Sequence, residues 1–265
     1  MMQHTINTQV GLKSGISATN NSKFSEARKL DTEVSCVVIT YSVCQGSLEQ
    51  TINTLHKNGT SVHYIIDQNG KQYQSVDDYT QKAYYAGLSS WKGQENVNEF
   101  AIGVMLINDG ESKFTSEQKT AVTSLLKDIA SRHPDINIKN DVIGLGEVAA
   151  RHIAPGKHFF WQELAEDGIG QFFKTTEEQR QTPSTKTIIQ TQEELKFHGY
   201  GIEINGNLDE PTSNWYAKFN TRYVPEQEPS NTWTTASQHV FDVLHPEYQE
   251  TVLSGDTSLS HSADA

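Results

Sequence analysis

The sequence has little cysteine and little proline, and it lacks long apolar runs. It contains 2 cysteines and 7 prolines in 265 residues. So few cysteines exclude the small folds that depend on several disulfides. Cys36 falls in a predicted strand and Cys44 in the loop after it, and neither has histidine-rich surroundings. We therefore expect two free thiols and no cysteine nucleophile.

Basic residues are also scarce. Lys and Arg number 21 against 33 Asp and Glu, which gives a formal net charge of −12. Nucleic acids and anionic membranes are bound by clusters of basic side chains, and because the sequence has none we expect neither partner. The longest apolar runs fall far short of the roughly 20 residues of a transmembrane helix, so we expect no transmembrane segment. The start, MMQHTINTQVGLKSG, has no basic segment followed by an apolar run, so we expect no export signal in this sequence.

The periodic patterns predict an α/β fold. Apolar, β-branched segments of strand length alternate with amphipathic segments of helical period. In chain order they give a strand at 34–41, a helix at 47–59, a hairpin at 61–76, a strand at 100–109, a helix at 115–133 and a short strand at 141–145. This order predicts a mixed central β-sheet flanked by helices.

Capping and turn residues mark several boundaries of these elements. Ser47 is suited to cap the first helix and Gly59 to end it. Thr115 and Gln118 have the spacing of a capping box at the start of the second helix. The pair Asn69-Gly70 tolerates the positive φ of a tight turn, so it predicts the hairpin.

Composition shifts divide the chain into segments. An N-terminal segment, 1–33, precedes the sheet domain at 34–173. The polar stretch 174–190 contains Pro183 and is predicted to be a linker or an opening helix. A small C-terminal helical domain follows at 191–250, and the small, polar residues 251–265 are typical of a flexible tail.

Four ordered fragments of the sheet domain carry a family resemblance. They are SVHYIIDQNGKQYQSV, AYYAGLSSWKG, VNEFAIGVMLIND and VIGLGEVAARHIAPGKHFFWQELAEDGIG. Together they resemble the type 2 N-acetylmuramoyl-L-alanine amidases of the AmiD type, which are zinc enzymes with a fold similar to that of the peptidoglycan recognition proteins. The helical domain resembles a peptidoglycan-binding domain at Leu195, Gly199-Tyr200, Gly206, Leu208-Asp209, Thr212, Phe219, Arg222-Tyr223, Pro225 and Leu244.

The resemblance places the family's zinc ligands and general base at positions that cannot perform these roles. The ligand positions hold Thr40, Leu145 and Ala154, and the position of the catalytic glutamate holds Met105. The basic residue beside the third ligand is His152. A zinc site needs imidazole, thiolate or carboxylate ligands. The resemblance therefore implies a pseudoenzyme with no catalytic residue, no metal site and no cofactor.

The same resemblance suggests a ligand-binding set. Tyr85 and Trp91 lie in the segment that lines the family's substrate groove, although core packing is an equal alternative for both. Asn98 precedes the glutamate strand and is suited to a ligand contact or to fixing a loop. Arg151 stands where the family has an arginine, so substrate contact and a structural ion pair are both open.

Three functions follow. The first is a pseudoenzyme that binds peptidoglycan or serves as a component of a cell-envelope assembly such as a secretion system, which implies the cell envelope or periplasm. The second is an active amidase with an unrecognised metal site that uses His63, His152 or His158. In the third, the helical domain is purely structural and has no affinity for glycan.

Overall fold

The computed structural model describes residues 16–18, 24–30, 32–43 and 45–248. The strands are β1 Ile16–Ala18, β2 Ser25–Ala27, β3 Cys36–Tyr41, β4 Tyr64–Ile66, β5 Gln72–Gln74, β6 Gln81–Ala83, β7 Ser90–Trp91, β8 Gln94–Glu95, β9 Ala101–Leu106 and β10 Val142–Gly144. The helices are α1 Leu48–Lys57, α2 Ser116–Arg132, α3 Leu145–Val148, α4 Trp161–Glu166, α5 Glu177–Gln181, α6 Ile188–His198, α7 Glu210–Tyr223 and α8 Thr235–Leu244.

The central sheet is mixed, which confirms the predicted fold class. Its 6 strands are arranged in the order β1-β5-β4-β9-β3-β10. Strands β4, β9, β3 and β10 run parallel to one another, whereas β5 is antiparallel to β4. Both faces of β3 are buried, because Val37 and Ile39 pack with α2 while Cys36 and Val38 pack in a second cluster. Burial on both faces explains why this strand is continuously apolar.

The C-terminal helices share a core with the sheet. The cluster that contains Val38 and Met105 also contains Leu195, Trp215 and Phe241 from α6, α7 and α8. The stretch 174–190, interpreted as a linker or an opening helix, contains the short helix α5 and the first turn of α6, with non-helical backbone between them. The following backbone is also docked, since the N–H of Thr235 donates to the carbonyl of Thr182 at 2.9 Å.

The predicted capping sites are confirmed, and one turn differs in detail. Ser47 and Thr115 each form a capping box at the start of α1 and α2. The hairpin of β4 and β5 is present, but of its Asn-Gly pair Gly70 alone has a positive φ, 76°. The backbone N–H of Asn69 donates instead to the carboxylate of Asp67 at 2.9 Å. The turn therefore needs glycine at one position, and the Asp67 side chain holds the other.

Parts of the N-terminal segment join the fold. Strand β1 extends the edge of the central sheet, and β2 pairs with β6. Cys36 is a buried free thiol, whereas Cys44 and the predicted tail 251–265 lie outside the described residues. Among the residues that the structure describes, no helix has the length and apolar character needed to cross a membrane.

A buried carboxylate ties the hairpin side of the sheet to the end of α2. Asp78 accepts hydrogen bonds from the Tyr64 hydroxyl at 3.0 Å and from Arg132 Nη1 at 2.8 Å, and His133 Nε2 lies 3.2 Å away. Burial raises the pKa of this carboxyl, but the hydrogen bond from His133 and the charge of Arg132 outweigh it and lower the pKa to about 2. The charged form of Asp78 is therefore stabilised in the folded state.

The substitution Asp78→Asn is expected to lower the free energy of unfolding by about 2 kcal/mol at pH 7, because it removes the buried charge that accepts hydrogen bonds from Tyr64 and Arg132, although Arg132 keeps Asp128 as an ion-pair partner at 2.9 Å. The carboxylate stabilises the fold above its ordinary pKa of 3.8 and loses this effect as the pH falls through about 2. Urea unfolding should therefore show the difference between variant and wild type shrinking between these two pH values. Asp135→Asn, at an exposed position, serves as the control, and an equal loss in both variants would contradict the assignment.

Candidate functional site

The carboxyl ends of three parallel strands bring together residues that are far apart in the sequence. Thr40 near the end of β3 is paired in register with Met105 of β9. Gly144 at the end of β10 is paired with Ile39, and α3 begins at the next residue, Leu145. Because parallel strands end at the same edge, Thr40, Met105 and Leu145 all lie at this edge.

The loop after α3 returns to the same edge. The backbone N–H of Gly146 donates to the carbonyl of Ala154 at 2.7 Å, which holds Ala154 beside the start of α3. A cavity of about 350 Å³ results. Its lining combines the strand ends, α1 and the loop after α3: Thr40, Tyr41, Ser42, Val43, Thr54, Leu55, Asn58, Thr60, Tyr85, Met105, Leu145, Arg151, His152, Ile153 and Ala154.

The cavity, called the strand-end cavity below, has a floor without metal ligands. Thr40, Met105, Leu145 and Ala154 are all buried and contribute a hydroxyl, a thioether and hydrocarbon. No carboxylate is among the lining residues. Over the described ranges, no group of three or more His, Cys, Asp and Glu side chains is arranged to hold a metal. The donor set at this cavity therefore does not fit the zinc ion that the family resemblance implies.

Basic side chains stand at the mouth of the strand-end cavity. Arg151 is exposed, and its Nε donates to His152 Nε2 at 3.3 Å. Burial and the neighbouring charges of Arg151 and Lys218 lower the pKa of His152, so its neutral ring accepts this bond. The guanidinium lies directly against Gly87, where a Cβ would be 2.0 Å from Arg151 Nη2. Glycine at 87 therefore permits this position of the arginine.

Tyr85 forms one wall of the strand-end cavity. Its ring lies against Gly103 of β9, where a Cβ would come within 2.6 Å of the ring. The hydroxyl is buried and has no hydrogen-bond partner within the described part of the chain, and burial raises its pKa well above 10. An unsatisfied buried hydroxyl costs folding free energy.

The other two predicted ligand-binding residues do not reach the cavity. Asn98 is buried, and its Oδ1 accepts hydrogen bonds from the backbone N–H groups of Tyr85 at 3.2 Å and Ala86 at 3.1 Å. It therefore fixes the loop that presents Tyr85. Trp91 is 4% exposed and packs against His198 and Tyr200 of the helical domain. Trp91 therefore lies in the contact between the sheet domain and the helical domain.

The histidines considered for a relocated metal site are not gathered around the cavity. His63 is fully buried, its Nδ1 accepts from the N–H of Gly103 at 2.9 Å, and its Nε2 lies 3.1 Å from the carbonyl of Gln81. Burial and the charge of Arg28 lower its pKa to about 4, so the ring is neutral. Both nitrogens of His63 are engaged in structural contacts. His152 lines the cavity, whereas His158 is not among its lining residues.

Sequence reasoning missed two features of this site. Val43 and Ile153 are 74% and 70% exposed and line the cavity, so its surroundings present apolar side chains to solvent. Lys218 of α7 donates from Nζ to the carbonyl of His152 and thereby supports the loop from the helical domain. No spacing in the sequence indicates a contact between α7 and this loop.

Comparison with known proteins shows similarity to amidases. A family model described as N-acetylmuramoyl-L-alanine amidase matches residues 30–157. Protein RC0497 of Rickettsia conorii, which carries an N-acetylmuramoyl-L-alanine amidase name, is 44% identical over 255 residues, or 90% of this chain and 94% of that protein. The N-acetylmuramoyl-L-alanine amidase AmiD of Escherichia coli is 30% identical over 161 residues, or 55% of this chain and 57% of its own.

Solved structures extend the likeness in fold to the helical domain. The structure of E. coli AmiD with the substrate anhydro-N-acetylmuramic acid-L-Ala-D-γ-Glu-L-Lys superposes with a TM-score of 0.70 and 23% identity, covering 83% of this chain and 93% of that one. AmpDh3 of Pseudomonas aeruginosa with anhydromuramic pentapeptide gives a TM-score of 0.69 at 21% identity, covering 81% and 92%. Both coverages extend beyond the sheet domain.

The substitution Tyr85→Phe is expected to raise the free energy of unfolding by about 1 kcal/mol, because it removes a buried hydroxyl that has no partner. Tyr73→Phe is the matched control, since the hydroxyl of Tyr73 donates to Asp67 at 3.0 Å and its loss should lower stability. Urea unfolding at pH 7 measures both changes. A loss of stability in Tyr85→Phe would show that the hydroxyl is satisfied.

Proposed function

The chain belongs to the type 2 N-acetylmuramoyl-L-alanine amidase family, and we propose that it is a catalytically inactive member that acts by binding a ligand or a partner. Its strand-end cavity takes a peptide-bearing fragment of peptidoglycan, and it acts in the cell envelope or periplasm. A protein of an envelope assembly, such as a secretion system, is the other partner that this exposed cavity could hold.

The observation that carries the proposal is the convergence of Thr40, Met105, Leu145 and Ala154 on one cavity. Amide hydrolysis by this family's chemistry needs a metal-bound water and a group that removes its proton. None of the four side chains can ligate zinc, and the cavity lining has no carboxylate to act as the base. The lowered pKa of His152 also makes its imidazole a weaker base than an ordinary histidine.

The charge distribution supports a peptide with an anionic group as the ligand. The floor is apolar, and Arg151 at the mouth is the kind of side chain that pairs with a carboxylate. E. coli AmiD has been solved with a muropeptide that carries such groups. An apolar floor beside a cation fits a stem peptide better than it fits an uncharged sugar.

Purified chain incubated with muropeptides and excess zinc is expected to show no cleavage of the lactyl amide and no stoichiometric zinc after dialysis. Mass spectrometry of the muropeptides and elemental analysis of the protein measure these outcomes. Turnover with one bound zinc would reject the proposal and favour the alternative, an active amidase with an unrecognised metal site.

A restored variant provides a positive control for that experiment. Thr40→His, Leu145→His and Ala154→Asp together return imidazole and carboxylate ligands to the strand-end cavity, so this variant should bind zinc. Adding Met105→Glu returns a base and should give measurable cleavage. Zinc binding by the original chain at the level of the triple variant would contradict our interpretation of these positions.

Binding is tested by co-sedimentation with purified sacculi. We expect the full chain to sediment and Arg151→Ala to bind about tenfold more weakly, because the substitution removes the cation at the mouth. Lys113→Ala, at an exposed position outside the strand-end cavity, is the matched control. If the full chain does not sediment, peptidoglycan is rejected as the partner and the envelope-protein alternative is favoured.

A further inference from the structure

A second cavity lies where the sheet domain meets α7 of the helical domain. Its volume is about 330 Å³, within the lower range of small-molecule sites. Gly144 and Glu147 line it from the sheet domain, and Asn214, Lys218 and Arg222 line it from α7. We call it the interdomain cavity. It shares Ile153 and Ala154 with the strand-end cavity, whereas Thr40, Met105 and Leu145 line the strand-end cavity alone.

Lys218 carries a buried positive charge without an acidic partner. The residue is 7% exposed, and its Nζ donates to the backbone carbonyl of His152. No carboxylate of the described residues forms an ion pair with it. Burial lowers the pKa of Lys218 to about 8, opposed by the charge of Glu147, so the amine remains protonated at neutral pH. An ammonium has three donors, and one bond to a carbonyl leaves capacity for an anion.

The other two buried charged groups of the interdomain cavity, Arg222 and Glu147, pair with each other. Arg222 Nε lies 3.8 Å from the Glu147 carboxylate, and both side chains are buried. Stacking on Trp161, 3.8 Å from the ring centre, holds the guanidinium in place. At the surface, exposed Lys157 and Glu111 also carry opposite charges. Among the buried charged groups that line the interdomain cavity, Lys218 is therefore the one without an ion-pair partner in the described part of the chain.

Two polar atoms beside Lys218 also lack hydrogen-bond partners. Glu147 Oε1 and Arg222 Nε are buried and unsatisfied within the described part of the chain. Burial raises the pKa of Glu147, against the charge of Arg222 and the N–H of Gly144. Buried polar groups are normally satisfied. Their clustering around an unpaired ammonium indicates that a polar occupant completes this cavity.

We propose that the interdomain cavity binds a small carboxylate ligand of amino-acid or dipeptide size, with its carboxylate paired to Lys218. A carboxylate supplies the missing negative charge and accepts the free donors of the ammonium. Asn214 offers a side-chain amide for the polar end of the ligand, although its Nδ2 also donates to the carbonyl of Ala150 at 3.1 Å. This site goes beyond the proposed function, because its charged group is Lys218 rather than Arg151 and because Thr40, Met105 and Leu145 do not line it.

The experiment is isothermal titration of the full chain at pH 7 with D-alanyl-D-alanine, L-alanyl-L-alanine, the C-terminal amide of each dipeptide, and inorganic phosphate. We expect saturable binding of a free-acid dipeptide and at least tenfold weaker binding of its amide. Equal affinity for acid and amide, stronger binding of phosphate, or no binding of either dipeptide would overturn the proposal.

Two variants locate the binding. Lys218→Met removes the charge and should weaken dipeptide binding at least tenfold, which corresponds to about 1.4 kcal/mol. Ala217→Leu keeps Lys218 but fills part of the interdomain cavity, so it should weaken binding by a similar factor and covers the case in which Lys218→Met does not fold. Lys113→Met is the surface control. Unchanged affinity in a folded cavity variant would reject the location.

Discussion

The constraint on which the rest of the structure depends is the parallel pairing of β3, β9 and β10. Their carboxyl ends coincide at one edge of the sheet, so Thr40 and Met105 near the ends of β3 and β9 and Leu145 just after β10 lie close together. In an amidase that edge would hold the metal ligands and the base. Here the same backbone geometry carries a hydroxyl, a thioether and two hydrocarbon side chains, and it encloses a cavity with basic residues at its mouth. The amidase-like fold therefore carries, at this edge, side chains that do not fit a zinc ion.

The helical domain packs directly against the sheet domain. Trp91 from the β7–β8 hairpin packs on His198 and Tyr200, and the N–H of Lys92 donates to the carbonyl of Gly199 at 2.9 Å. From the other side, Lys218 donates to the loop that carries His152. A continuous apolar cluster joins the two domains, so their relative position is stabilised by burial as well as by polar contacts. Contacts at this junction therefore also shape the strand-end cavity.

Local signals predicted the local structure well. Ser47 and Thr115 cap their helices because a side-chain oxygen can reach the third backbone N–H after it, and that geometry depends on neighbours in sequence. The Asn-Gly pair predicted a hairpin, but the turn is shared with Asp67, which the pair alone does not indicate. The sequence leaves open whether Asn98 contacts a ligand or fixes a loop, whereas the tertiary structure shows that its side chain accepts hydrogen bonds from the N–H groups of Tyr85 and Ala86.

The sequence by itself determined the order of strands and helices, the caps, the resemblance to the amidases and the identity of the four side chains that this resemblance aligns with the metal ligands and the base. These properties follow from local periodicity and from residue chemistry. The tertiary structure alone decided that Trp91 packs against the helical domain, that the Arg151 guanidinium lies against Gly87 and that Lys218 is buried without an ion-pair partner among the described residues. Such contacts join residues separated by tens of positions or more, and no local pattern specifies which distant side chain occupies a given space.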